Sequence, residues 1–139
     1  MSSAKVRMAT VAIGLLALSI AAVCTSASDA PAGGDLYQVK EGNKVDPKTL
    51  NGWKTWRALA CERCHGDQQQ GLVGPSLLES LKTLSKDDFH TTIMNGRPDK
   101  GMPPFNGSAM VNQNWEGLYA YLKGRSDGKI KPGHLYPMD

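Results

Sequence analysis

The sequence predicts a small all-helical fold, and three observations support this. Apolar residues recur at helical spacing in several short segments, most of them introduced by a capping residue. Neither an alternating strand pattern of any length nor an internal repeat is present. The part that follows the first 30 residues is 109 residues long, the size of one ordinary domain. It contains two phenylalanines and few Val or Ile residues, which leaves room for a cofactor to complete the core.

Residues 1–30 are predicted to be a signal peptide. Lys5 and Arg7 precede the uncharged run VAIGLLALSIAAV, and small residues follow it. Cleavage is expected after Ala27 or Ala30, and either cut removes Cys24. The apolar run has 13 residues, fewer than the roughly 20 that a transmembrane helix needs. An uncleaved membrane anchor and a lipid on Cys24 are the alternatives, but export to a bacterial periplasm is the favoured interpretation.

The charge of the exported part argues against two classes of partner. It holds 14 basic and 12 acidic residues, a net charge of +2. So small a net charge does not favour binding to nucleic acid. The sequence also lacks a run of basic residues that would favour binding to a membrane surface. We therefore expect neither nucleic-acid binding nor stable membrane insertion once the signal is removed.

The first helix is predicted to begin with Asp46 as its N-cap and Pro47 at its first position. It is expected to deliver the cysteines of CERC at its C-terminal end. Residues 31–45 before it are predicted to be an extension with little regular structure, apart from a short extended pair about Glu41-Gly42. One apolar face of the helix combines Leu50, Trp53, Trp56 or Arg57, and Ala60.

Three further helices are predicted within the domain, which is placed at residues 46–125. A short one covers LLESLKT, and the next starts at a capping box of Ser85 and Asp88 and ends at Asn95. The last runs from Asn112 or Gln113 to about Lys123. Its apolar stripe consists of Trp115, Leu118, Tyr119 and Leu122. Residues 126–139 are predicted to be a Gly- and Pro-rich tail.

The stretch LACERCHGD contains the pattern Cys61, Cys64 and His65, which has three chemical interpretations. A structural zinc site needs four ligands, but the other two histidines, His90 and His134, form no second pair. A redox dithiol would need a βαβ framework in which the motif opens a helix. Both interpretations are therefore disfavoured.

Haem attachment accounts for every residue of the motif. Two thiols separated by two residues can each bond one vinyl group of the porphyrin, and the adjoining His65 can then bind the iron. Attachment takes place outside the cytoplasm, in agreement with the export signal. We therefore predict one covalent haem c on Cys61 and Cys64.

The sixth position of the iron is assigned to Met102. Gly101 before it and two prolines after it form a stiff, non-helical loop that can hold a thioether against the ring. His90 is the next choice and would give iron with two histidine ligands. The other methionines of the exported part are Met94, Met110 and Met138, for which core filling or a surface position is the simpler explanation.

These motifs together resemble the class I cytochromes c. CERCH, GPSL, NGRPDKGMPPF and an aromatic-bearing terminal helix follow one another in that order between Asp46 and about Lys123. The resemblance implies short helices wrapped round one haem, with the first and last helices crossing. It also implies that His65 and Met102 ligate iron, and that the carbonyl of Pro75 accepts a hydrogen bond from the other nitrogen of His65.

Two longer segments resemble a narrower group. GWKTWRALACERCHGDQQQGLVGPSL and LYAYLKGRSDGKIKPG are similar to cytochromes c that accept electrons from quinoprotein alcohol dehydrogenases, including those of methanol oxidation. This implies an electron carrier rather than an enzyme, with a cytochrome oxidase or another cytochrome as acceptor. One departure is Arg57, where many class I cytochromes carry an aromatic residue, so Trp56 or Trp53 is expected to replace its packing.

Two other functions stay open on the sequence alone. An iron with an open sixth position would make the chain a peroxidase-like enzyme or a gas sensor, although His90 and Arg97 are little material for peroxide chemistry. A subunit permanently docked to a dehydrogenase is the second. For a free carrier, Arg97 and Lys100 beside the methionine could steer a partner, or they could simply be solvated loop charges.

Overall fold

The computed structural model describes residues 34–139, so the predicted signal peptide lies outside the described residues. The helices are α1 (Pro47–Ala58), α2 (Glu62–His65), α3 (Leu77–Ser80), α4 (Lys86–Asn95) and α5 (Ala109–Ser126), with a 3-10 turn at Pro98–Lys100. Three strands of two residues each are β1 (Val39–Lys40), β2 (Lys44–Val45) and β3 (Tyr136–Pro137). The predicted all-helical class is confirmed. None of the helices in this part of the chain is long and apolar enough to cross a membrane.

Helix α1 begins as predicted, at the Asp46 cap. The Asp46 carboxylate accepts hydrogen bonds from the backbone N–H of Thr49 at 3.0 Å and from its hydroxyl at 2.6 Å. It also accepts one from the backbone N–H of Gln38 at 2.8 Å. Burial alone would raise the pKa of Asp46, but these hydrogen bonds outweigh it and hold the pKa below its ordinary value.

Helices α1 and α5 cross with their backbones in contact, at Gly52 and Gly117. A Cβ added to Gly52 would lie 1.9 Å from the carbonyl oxygen of Gly117, and one added to Gly117 would lie 2.2 Å from that of Lys48. Only glycine fits at either position. Next to the crossing, Trp56 of α1 packs edge-on against Tyr121 of α5, with ring centroids 6.3 Å apart. The crossing of first and last helices that the resemblance implied is therefore present.

The expectation that α1 carries the cysteines is wrong, because the helix ends at Ala58. Ala60 follows in the left-handed conformation with a φ of 52°. The backbone N–H of Cys61 donates to the Trp56 carbonyl at 3.3 Å, and that of Ala60 to the Arg57 carbonyl at 3.2 Å. This is the Schellman pattern of helix termination. The CERCH motif then forms its own short helix, α2.

The other helices follow the prediction with shifted ends. Helix α3 stops at Ser80, earlier than predicted, whereas α4 has the predicted bounds and Ser85 caps it by accepting from the N–H of Asp88 at 3.1 Å. Helix α5 is longer than predicted at both ends, and its earlier start is explained by Ser108, which caps it by accepting from the N–H of Val111. The core between α1, α3, α4 and α5 includes Leu50, Trp56, Leu81, Phe89, Ile93, Val111, Leu118 and Leu122.

The two terminal segments pack together on the helices. Strands β1 and β2 form the predicted extended pair, antiparallel about Glu41-Gly42, and β3 pairs with β2 in parallel. Ile130 and Leu135, in the segment predicted to be a tail, are fully or almost fully buried. The hydroxyl of Tyr37 donates to the carboxylate of Asp127 at 2.8 Å, which joins the first segment to the end of α5.

Candidate functional site

The two cysteines of the motif lie at the start and in the middle of the turn that α2 makes. Cys61 is partly buried against the core, Cys64 is exposed, and no disulfide joins them. Burial, helped by the nearby carboxylate of Glu62, raises the pKa of the Cys61 thiol to about 11. Redox dithiols instead have a lowered thiol pKa. Among residues 34–139, no three His, Cys, Asp or Glu side chains are grouped closely enough to hold a metal ion.

His65 is oriented by one hydrogen bond. Its Nδ1 lies 2.9 Å from the carbonyl oxygen of Pro75. Since a carbonyl oxygen can only accept, Nδ1 carries the proton, and the lone pair of the neutral ring is then on Nε2. This is the arrangement in which an imidazole can bind a metal while its other nitrogen is held by the protein.

The loop after the motif turns back tightly onto it. The backbone N–H of Gly71 donates to the His65 carbonyl at 2.8 Å, and that of Gly74 donates to the Cys64 carbonyl at 2.7 Å. A Cβ added to Gly74 would lie 2.9 Å from Cε1 of His65. The ring of His65 therefore rests against a backbone that a larger residue could not provide.

Trp56 also lies close to His65. It is 1% exposed, and its ring centroid is 6.4 Å from that of His65. Arg57, which stands where an aromatic residue was expected, is exposed, and of the two tryptophans proposed to replace it, Trp56 packs beside His65.

Met102 is held in a loop that is fastened to the end of α4. The backbone N–H of Arg97 donates to the Met102 carbonyl at 2.8 Å, and that of Met102 donates to the Arg97 carbonyl at 3.1 Å. Phe105 donates to the carbonyl of Ile93 at 3.0 Å. A Cβ added to Gly96 would lie 2.7 Å or less from the Met102 carbonyl oxygen and from the two following prolines. The half-buried side chain of Met102 therefore projects from a rigid loop.

The rival ligands have other surroundings. The ring of His90 packs against Trp115 with centroids 4.2 Å apart, and the ammonium of Lys86 lies 5.2 Å from the same Trp115 ring. Met94 packs against the core beside Ile93, as its core-filling interpretation predicted. Met110, in the first turn of α5, is exposed. The contacts of His90 and Met94 give these two residues structural roles, whereas Met110 is a surface residue.

A buried polar pair, Gln69 and Arg125, was missed by the sequence analysis. Gln69 is 1% exposed and has a φ of 62°, and Arg125 is 8% exposed. Gln69 is the middle residue of the polar run QQQ, and nothing in the run separates it from the exposed Gln68 and Gln70. Only the fold shows that this side chain points inward.

The donor set of the site fits a covalently bound haem. Such a haem would use two thiols in the spacing that porphyrin attachment uses and an imidazole with its lone pair on Nε2, and the thioether of Met102, in a separate loop, is the candidate for the opposite side of the iron. The sequence model of the family described as cytochrome c oxidase, cbb3-type, subunit III, matches residues 47–122. The chain therefore belongs to this family of c-type cytochrome domains.

Two proteins to which the chain is similar are themselves c-type cytochromes. It is 40% identical over 122 residues to cytochrome c-555 of Methylococcus capsulatus (strain Bath), a match that covers 87% of each chain. The crystal structure of the c-type cytochrome XoxG from Methylobacterium extorquens AM1 shares the fold with a TM-score of 0.63 and 26% identity. That match covers 78% of this chain and 76% of XoxG.

Family membership confirms four predictions: the class I cytochrome c fold, one covalent haem c, electron transfer as the activity, and the absence of an enzymatic role. When bound, the haem supplies an iron that exchanges one electron between its ferrous and ferric states. The chain is a monohaem electron carrier.

Proposed function

We propose that this carrier works in the periplasm with a closed iron site, and that it accepts electrons from a quinoprotein alcohol dehydrogenase. Cys61 and Cys64 bond the porphyrin, while His65 and Met102 are the axial ligands. The electrons pass on to the respiratory chain, through a cytochrome oxidase or another cytochrome.

The observation that carries the ligand assignment is the hydrogen bond between His65 and Pro75. It fixes the proton on Nδ1 and leaves Nε2 for the iron. A carbonyl acceptor also makes the ring a stronger electron donor. Two observations support Met102 as the second axial ligand. The segment NGRPDKGMPPF resembles the methionine loop of class I cytochromes c, and backbone hydrogen bonds between Arg97 and Met102 hold this loop in place.

The donor assignment rests on the resemblance of two segments, residues 52–77 and 118–133, to cytochromes that serve quinoprotein alcohol dehydrogenases. Arg97 and Lys100 are exposed beside Met102 and supply positive charge for a transient encounter. The periplasmic location rests on the signal-peptide pattern of residues 1–30. Mass spectrometry of the purified mature protein tests it: we expect a chain that starts at Ser28 or Pro31, whereas an intact N-terminus would contradict export by cleavage.

The axial ligands are tested with the haem-loaded protein and three variants. The oxidised wild type should show the weak red absorption band of sulfur-ligated haem iron, and the reduced wild type should not bind carbon monoxide. Met102→Ala should lose the band and bind carbon monoxide, whereas Met110→Ala, at an exposed methionine, should change neither. If His90→Ala is the variant that opens the site, the assignment to Met102 is wrong. A wild type that binds carbon monoxide readily would favour the enzyme or sensor alternative instead.

The donor is tested by mixing the oxidised protein with candidate quinoprotein dehydrogenases, each with its alcohol, and following haem reduction. Reduction should be fast at low ionic strength and slow down as salt screens the charges. Arg97→Glu and Lys100→Glu should slow it several-fold, whereas Lys129→Glu, an exposed lysine in the C-terminal segment, should not. Failure of every dehydrogenase to reduce the haem would overturn the donor assignment and leave the haem ligation untouched.

A further inference from the structure

A buried hydrogen-bond network joins the loop after the haem motif to helix α5. The side-chain oxygen of Gln69 accepts from Nε of Arg125 at 2.6 Å, and its amide nitrogen donates to the hydroxyl of Tyr121 at 3.1 Å. Arg125 also donates to the carbonyls of Ile130 at 2.6 Å and Gln68 at 3.2 Å. The three oxygens that accept from Arg125 are all neutral, so the buried guanidinium is stabilised by dipoles and not by a negative charge.

The backbone of Gln69 holds both ends of the segment that orients His65. Its N–H donates to the carbonyl of Gly66, the residue after His65, at 3.0 Å. Its carbonyl accepts from the N–H of Leu77 at 2.9 Å and from the hydroxyl of Ser76 at 3.4 Å. Ser76 directly follows Pro75, whose carbonyl accepts from His65. The backbone of Gln69 is therefore bonded next to both His65 and Pro75.

The conformation of Gln69 shows that this position is imposed by its partners. A φ of 62° is unfavourable for a residue other than glycine and persists only where surrounding contacts over-determine it. The contacts here are the backbone bonds to Gly66 and Leu77 and the two side-chain bonds to residues of α5. Loss of the side-chain bonds therefore removes part of what holds the loop backbone at Gln69 left-handed.

We propose that Gln69, held by Arg125, is a positioning residue that sets the strength of the hydrogen bond between His65 and Pro75 and thereby the reduction potential of the haem. The proposal rests on the proposed function, because it requires His65 to be an iron ligand. A stronger bond to the carbonyl makes the imidazole more electron-donating and favours the ferric state. Loosening the bond therefore raises the potential.

The variants are chosen so that the effect of the Arg125 charge on the reduction potential is separated from the effect of its hydrogen bond to Gln69. Removing the Arg125 cation would itself lower the potential, so the informative changes keep it: Gln69→Leu, Arg125→Lys and the milder Tyr121→Phe. Gln68→Leu is the matched control, because that side chain is exposed while its backbone carbonyl stays in place. Tyr37→Phe removes a hydrogen bond to Asp127 and serves as a control for a change in stability alone.

The experiment measures the midpoint potential and the exchange of the His65 Nδ1 proton by nuclear magnetic resonance, on the haem-loaded full chain. Gln69→Leu should raise the potential and speed exchange by about tenfold or more, because local opening exposes the proton. Arg125→Lys and Tyr121→Phe should shift both quantities in the same direction by less. The two control variants should leave both unchanged.

A double variant, Gln69→Leu with Arg125→Lys, should show no larger effect than Gln69→Leu, because both changes act through one contact. The proposal is overturned if the informative variants fold and bind haem but keep the wild-type potential and exchange rate, or if the controls move both equally. A wild-type spectrum without a histidine ligand would instead overturn the proposed function, before any variant is compared.

Discussion

A single hydrogen bond determines which nitrogen of His65 is available to a metal. The Pro75 carbonyl takes the Nδ1 proton, and the backbone of Gly74 lies directly against the ring. The ring therefore has one allowed tautomer and little room to rotate. Gly74 and Pro75 therefore affect the orientation of His65 through their backbone atoms, although neither has a reactive side chain.

Replacing Gly74 by alanine should disturb the site through its added methyl group alone. The new Cβ would lie 2.9 Å from Cε1 of His65, so the ring or the loop must move. We expect a loss of about 1 to 3 kcal/mol in the free energy of unfolding and a shift of the haem absorption bands. Gly107→Ala, where no atom lies within 4 Å of the added Cβ, is the control. Equal behaviour of the two variants would contradict the contact.

At position 60, glycine should give a more stable fold than the native alanine. Its φ of 52° is a conformation that costs L-residues about 1 kcal/mol. Ala60→Gly should therefore raise the free energy of unfolding by about 0.5 to 1 kcal/mol, less the entropy that glycine adds to the unfolded chain. The same change two residues earlier, Ala58→Gly, should lower it by about 0.5 kcal/mol, because that residue is helical but lies in the last position of α1. Thermal unfolding of both variants checks the opposite signs.

At the scale of elements, the close approach of α1 and α5 at their crossing depends on two glycines, which lie beside the apolar core that the helices share. Gly117→Ala would place a Cβ 2.2 Å from a backbone oxygen of Lys48, and backbone cannot swing away as a side chain can. We expect a loss of about 3 kcal/mol in denaturant unfolding. Gln113→Ala, an exposed position on the same helix, should change stability by less than about 0.5 kcal/mol. A small effect of the glycine change would show that the helices can separate freely.

The start of α1 makes a pH-dependent contribution to stability. The pKa of Asp46 is lowered in the folded state, so its carboxylate stabilises the fold above the unfolded pKa, and this contribution is lost as pH falls through the folded pKa. Asp46→Ala should cost about 1 kcal/mol at pH 7 and progressively less below about pH 4. Ser108→Ala removes an uncharged cap, so its cost should stay constant with pH. Parallel dependences in the two variants would contradict the role of the charge.

The helices were predictable to the extent that their signals are local. Asp46 with Pro47, and Ser85 with Asp88, are capping patterns formed by residues close together in the sequence, and the starts of both helices were predicted correctly. The end of α1 was not predictable, because the left-handed residue is an alanine and the helical spacing continues through it. The helix crossing followed from the family resemblance, whereas the glycines that permit it gave no signal of their own.

The residues of the candidate site also fall into those that a local sequence pattern predicts and those that it does not. Cys61, Cys64 and His65 form a contiguous motif, and Met102 has stiff neighbours, so the sequence could single them out. Gln69 could not be found, because its burial depends on Arg125, which is distant in the chain. A side chain whose role is created by a distant partner leaves no local pattern.

At the scale of the whole molecule, the C-terminal segment is part of the domain. Ile130 is completely buried and Leu135 is 2% exposed, although the glycines and prolines around them indicated a tail. Ile130→Ala should cost about 2 to 5 kcal/mol in urea unfolding. Leu72→Ala, at a leucine that is 72% exposed, should cost almost nothing. Similar small effects at both positions would mean that the segment is loose in solution.

The pairing of β2 with β3 has a consequence for the order of events during synthesis. Residues 44–45 can complete their sheet only when residues 136–137 have been made, later than every helix of the domain. Until then one edge of β2 lacks its partner. The two ends of the domain are thereby joined through one short sheet, so a truncation at residues 136–137 removes a partner from residues 44–45, at the opposite end of the described chain.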